Sequence, residues 1–120
     1  MKLFAIRPVR GITDEYKEGI EAQIARYRAE GHEIYDPLVD TDQVDNTGLR
    51  ICKDNRKAIE DADAILFMWD GKSQGSLFDL GMAFALRKPV IPVIGYVPAM
   101  TDHKLYQNMV FAWQENGAED

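Results

Sequence analysis

Short, wholly apolar runs alternate along this chain with longer stretches whose apolar positions recur every three or four residues. Residues 3–6 are the first apolar run, broken by Pro8 and Gly11. Thr13 then reads as an N-cap, and Tyr16, Ile20, Ile24 and Tyr27 fall on one face of a helix that Glu30-Gly31 ends. A second strand spans 32–35 and stops at Asp36-Pro37. Residues 38–47 are acidic and polar and read as a loop, with Asp40, Asp42 and Asp45. The next helix covers about 48–62, with Leu49, Cys52, Ala58 and Ile59 as its expected buried face. The run 64–69 follows at once and reads as a fully buried strand. A mostly apolar helix covers 76–86, Lys88-Pro89 ends it, and 90–94 is another strand. Beyond Gly95 the pattern predicts a short helix over 102–108, a last strand over 109–113 and a frayed tail at 115–120.

The order β-α-β-α-β-α-β, with continuous rather than alternating apolar strands, predicts a single α/β domain over 1–120. Its fold is doubly wound: a parallel sheet of about five strands with helices on both faces and right-handed crossovers. Ligands of such sheets sit beyond the carboxyl ends of the strands. Three loops converge there, at 7–13, 36–47 and 70–75. The last joins the most apolar strand to a helix through Gly, Ser, Lys and Asp, the parts of a ligand junction.

Composition narrows the partners. A net charge of -6 argues against a nucleic-acid backbone while leaving room for a small anion in a local pocket. The single cysteine, Cys52, rules out an internal disulfide and a thiolate metal cluster. His32 and His103 are isolated and lack metal-ligand spacing. No apolar run approaches the ~18 residues of a membrane span, and the first residues lack the pattern of a signal peptide. The expectation is a cytoplasmic protein with no membrane and no nucleic-acid partner.

Asp79 is the sharpest candidate, an acid in the expected first turn of an apolar helix. The plain reading is complementarity with the helix dipole, which also favours its ionised form. The functional reading is a carboxylate at the mouth of the sheet. Gly71, Gly75 and Gly81 permit tight turns and close approach, and Gly75 and Ser76 could offer helix N–H groups to an anion. The loop is neither a phosphate-binding P-loop nor a dinucleotide fingerprint, which disfavours nucleoside triphosphates and dinucleotides. Arg7 and Arg10 flank Pro8, where a guanidinium could fork onto phosphate or carboxylate, or lie solvated at the surface. Tyr35 and Trp69 end strands at the ligand edge, placed to stack on a base or simply to fill the core. Asp54, Asn55 and Arg56 read by default as solvated helix surface.

Two stretches carry a resemblance. One is Ala62-Asp63-Ala64-Ile65-Leu66 entering a strand, followed by Ser73-x-Gly75-x-x-x-Asp79-Leu80-Gly81-x-Ala83-x-Ala85; the other is Tyr35-Asp36-Pro37-Leu38. Over about residues 3–95 the chain resembles the nucleoside 2-deoxyribosyltransferase family, including its branch of deoxynucleoside 5′-monophosphate N-glycosidases, and the likeness is strongest over 54–94. The resemblance implies a flavodoxin-like fold and cleavage or transfer at the N-glycosidic bond of a (deoxy)nucleoside or its 5′-monophosphate. It implies neither metal nor cofactor, and a homo-oligomer whose subunits share sites.

Carried over residue by residue, Asp79 takes the place of the family's nucleophilic Glu. Ser73 takes that of the Ser holding a 5′-phosphate, with Gly75 beside it, and Arg10 and Gly11 resemble an Arg-Gly pair in the first loop. Asn55 falls where the family has an Asp that assists the leaving base, and adjacent Asp54 is the candidate substitute. Asp79 is one methylene shorter than Glu, and Ile6-Arg7 stands where the family usually has a small residue. The alternative is a non-catalytic nucleotide-binding or scaffold member of the same fold. A phosphorylated receiver domain is disfavoured because the first strand ends in Arg7-Pro8 without an acidic pair.

Overall fold

The computed structural model describes residues 1–117. Four strands, β1 (Lys2–Ile6), β2 (Glu33–Tyr35), β3 (Ala64–Phe67) and β4 (Val90–Pro92), form one parallel sheet in the order β2-β1-β3-β4. Five helices complete the fold: α1 (Asp14–Ala29), α2 (Pro37–Asp40), α3 (Leu49–Asp61), α4 (Gln74–Ala85) and α5 (Tyr106–Asn116). The register pairs Phe4 with both Tyr35 and Ile65, and Phe67 with Pro92.

Side-chain alternation along the central strands sorts the core into two layers. Leu3, Ala5, Leu66 and Met68 face α1, where Ile20 and Ile24 meet them. Phe4, Ile6, Ile65 and Phe67 face the other way, onto Ile59 of α3, Leu80 and Ala83 of α4, and Val110 and Trp113 of α5. Because β1 lies between β2 and β3, the chain leaves β1 and β3 towards opposite faces. The crevice at their carboxyl ends is the topological switch point of the sheet.

The sheet has four strands rather than five. The expected strand at 109–113 is part of α5, in which Gln107, Val110 and Trp113 are buried at helical spacing. A short apolar run does not by itself distinguish strand from helix. Trp113 meets Phe84 edge-on, with ring centroids 5.1 Å apart, so it belongs to the core, whereas Tyr106 is exposed. Glu115 and Asn116 lie inside α5, and the rest of the expected tail, 118–120, falls outside the described residues.

Two other expectations shift. The acidic loop contains α2, capped by Asp36, whose side chain accepts from the Leu38 N–H. Leu49 is 60% exposed, Ile59 is buried as expected, Cys52 and Ala58 are half-buried, and Asn55 joins the buried face of α3. Thr13 caps α1 as expected, accepting from the Tyr16 N–H at 3.0 Å.

Candidate active site

Helix α4 starts two residues earlier than its apolar pattern suggests. Ser73 is its N-cap, and its hydroxyl accepts from the Ser76 N–H at 3.3 Å and from the Ser76 hydroxyl at 3.0 Å. The loop before it is pinned from both sides. The Asp70 carboxylate accepts from the Lys72 and Ser73 N–H groups, and the Trp69 indole donates to the Ser73 carbonyl at 3.1 Å. Gly71 turns this loop at φ 80°, a conformation that favours glycine.

The earlier start moves Asp79 into the second turn of α4, beyond the reach of the helix dipole. Asp79 is only 8% exposed, and burial pushes its carboxyl up from the ordinary 3.8 to about 7, while a hydrogen bond from Asn55 pulls the other way. The expected dipole-stabilised carboxylate is therefore corrected: desolvation dominates, and the group titrates near neutrality.

Asn55 is buried at 6% exposure rather than solvated. Its Nδ2 donates to Asp79 Oδ2 over a long 3.4 Å, and its Oδ1 accepts from the Thr41 hydroxyl at 2.8 Å. That hydroxyl has one proton, so the Tyr35 phenol, 2.6 Å away, donates to it. Thr41 is a site residue that sequence reasoning missed. It sits just past α2, in a stretch whose polarity resembles an ordinary loop, and only its burial reveals it.

Asp79 and Asn55 lie in a cleft of about 500 Å³ at the switch point. The cleft brings together Arg7, Arg10, Asn55, Ser73, Gly75 and Asp79 from the expected set, with Cys52, Gln43 and Phe78 added to its wall. Arg7 is fully buried. Its Nη1 stands 3.5 Å from Asp36, its Nε donates to the Pro8 carbonyl, and its Nη2 has no hydrogen-bond partner among the described residues. A buried guanidinium with donor capacity to spare suits an anionic group. The first N–H groups of α4 lack intrahelical acceptors and add to that capacity. Burial and the negative charges of Asp79 and Asp45 push the Cys52 thiol up.

The remaining expected site residues lie elsewhere. Asp54 is exposed and lines a second hollow, of about 490 Å³, between α3 and the β1–β2 edge. Tyr35 lines that hollow too and stacks on Phe4, so it reaches Asp79 only through Thr41 and Asn55. Every charged residue around that hollow is exposed. Trp69 is core and holds Ser73 from behind instead of offering a face to a base. Gly11 turns an exposed part of the first loop at φ 70°, outside the cleft wall.

A four-stranded parallel sheet covered by helices on both faces is a flavodoxin-like fold. The sequence model of the nucleoside 2-deoxyribosyltransferase family matches residues 10–116, and the chain belongs to that family. Two solved structures share its fold. The 2-deoxyribosyltransferase of Bacillus psychrosaccharolyticus superposes with a TM-score of 0.70 at 17% identity, covering 92% of this chain and 80% of that one. The CMP N-glycosidase of Clostridium botulinum superposes with a TM-score of 0.65 at 18% identity, covering 98% and 82%. No curated protein matches the chain in sequence. No helix among the described residues is long and apolar enough to cross a membrane.

Proposed function

We propose that the chain cleaves or transfers the N-glycosidic bond of a (deoxy)nucleoside or its 5′-monophosphate, with Asp79 as the nucleophile. The observation that carries this reading is a buried carboxyl, held by an amide donor, at the floor of a cleft whose opposite wall offers anion-binding groups. The ionised Asp79 oxygen attacks C1′ as the C1′–N bond breaks, and the electron pair leaves on the base nitrogen. Asn55 holds the carboxylate by its Nδ2 proton and cannot exchange a proton itself. Among the described residues no carboxyl other than Asp79 lines the cleft, and Asp54 belongs to the other hollow. Water reaching the open cleft therefore protonates the departing base. Water or a second base then attacks C1′ of the glycosyl ester and frees the carboxylate. Ser73, the α4 N-terminus, Arg7 and Arg10 hold the 5′ substituent.

Asn55 also favours a second reading, a member of the family that binds nucleotides without cutting them. Incubation with a panel of nucleosides, deoxynucleosides and their 5′-monophosphates separates the two. The catalytic reading expects free base, faster from monophosphates, and its loss in Asp79→Ala. Tight binding with no base released by the wild type supports the second reading.

The family resemblance also leads us to propose self-association through the helical face that leaves Leu49, Phe78 and Phe84 exposed. Phe78 lines the cleft as well, so a partner seated there narrows the cleft mouth.

A further inference from the structure

Among the described residues, the side chain that hydrogen-bonds to the Asp79 carboxylate is Asn55. A terminal amide is a two-faced group: turned over, it presents its oxygen to the carboxylate and repels it. What decides its orientation lies outside the cleft wall. Thr41 donates to Asn55 Oδ1 at 2.8 Å, which leaves the Nδ2 face for Asp79. Thr41 in turn is committed to that role by Tyr35, whose phenol occupies the hydroxyl's acceptor side at 2.6 Å. The ring of Tyr35 is itself fixed, stacked on Phe4 with centroids 5.4 Å apart. A strand end, a loop and two helices are thus joined by three successive side-chain bonds that end on one carboxylate oxygen.

We propose that Tyr35, Thr41 and Asn55 form a relay that locks the Asn55 amide and thereby aims the Asp79 carboxylate at the reacting carbon, Tyr35 and Thr41 acting as positioning residues. The proposal rests on the assignment of Asp79 as nucleophile. It gives Tyr35 a role other than stacking on a base, and gives Thr41 one that the sequence pattern does not suggest. The charge-bearing groups around Asp79 are few. The loop after β1 brings Arg7 and Arg10, α3 brings Cys52, and α4 adds no ionisable group to the cleft wall besides Asp79 itself. Against that background, loss of a donated hydrogen bond to the carboxylate leaves desolvation unopposed.

The test is a carbon-detected NMR titration of the Asp79 carboxyl in the wild type, Thr41→Val, Thr41→Ser and Tyr35→Phe, with the resonance assigned from Asp79→Asn. Thr41→Val should move the Asp79 midpoint upward by about half a pH unit or more. Thr41→Ser, which keeps the hydroxyl, should restore it, and Tyr35→Phe should give a smaller rise. Base release at pH 7 should fall about tenfold in Thr41→Val and recover in Thr41→Ser. A purely structural role for Thr41 lowers stability without moving the midpoint, and an unchanged midpoint in folded Thr41→Val overturns the relay. If Thr41→Val does not fold, Tyr35→Phe decides by the same criterion. Failure of the underlying reading shows separately, as base release that survives Asp79→Ala.

Discussion

Asp79 carries two opposed demands. A nucleophile must be ionised, yet the site that shields it from water favours the neutral acid and lifts its titration to about 7. Between about pH 4 and 7 the unfolded chain sheds a proton that the native state keeps, so native stability falls as pH rises through that window, by roughly 1.4 kcal/mol per pH unit. Asp79→Asn removes the cost. Its Tm should lie above that of the wild type at pH 8 and converge with it near pH 4, which thermal melts at the two pH values read directly. Activity has the opposite slope. In the proposed role of nucleophile Asp79 must be ionised in the free protein, so kcat/KM should rise through about pH 7 and then level off. Among the described residues no second carboxylic acid lines the cleft to supply an alkaline limb, so a bell-shaped profile contradicts solvent as the proton source.

At the scale of elements, close packing fixes the geometry that the site borrows. Gly19, midway along α1, lies against Tyr96, and an added methyl group would run into the Tyr96 hydroxyl and ring. Tyr96 is also packed edge-on against Tyr16, and its carbonyl accepts the Trp69 N–H, the residue that braces Ser73. Gly→Ala inside a helix ordinarily stabilises by about 0.5–1 kcal/mol. Here Gly19→Ala should instead destabilise by about 1 kcal/mol, measured by urea denaturation, because the clash outweighs the helix propensity.

The same packing explains what could be read beforehand. The buried strands and the N-cap at Thr13 follow from periodicity and side-chain chemistry, which act over a few residues. Ser73 and Asp79 stand out through their spacing in a motif that resembles the family's, and the structure places both on one cleft. The start of α4 is not legible, because Gly75 is a poor helix former and Ser73, its N-cap, lies outside the apolar pattern. Asn55 is reached only through the resemblance and Thr41 not at all, because the burial of both depends on tertiary contacts such as their mutual hydrogen bond, with no local trace. Residues 109–113 of α5 read as a strand because they are consecutively apolar, and so short a run shows no helical period.

The whole molecule resolves a conflict of charge. The chain carries -6, yet the cleft places Arg7 and Arg10 opposite the N-terminus of α4, so a small anion meets a locally favourable wall in an acidic protein. Leu49 on α3 and Phe78 and Phe84 on α4 are exposed apolar side chains, and Phe78 also lines the cleft. Light scattering should report a dimer or larger, and Phe84→Glu should shift it towards monomer. A wild-type monomer at high concentration contradicts self-association.

The central claim is a covalent bond between Asp79 and C1′. The most direct measurement is mass spectrometry of the protein quenched with acid during turnover of a 2′-fluoro nucleoside 5′-monophosphate, whose fluorine slows release of the glycosyl ester. The account predicts a mass gain equal to the fluorinated sugar phosphate, mapped by proteolysis to Asp79 and absent in Asp79→Ala. Base release without any adduct on Asp79, or an adduct that persists in Asp79→Ala, would contradict it.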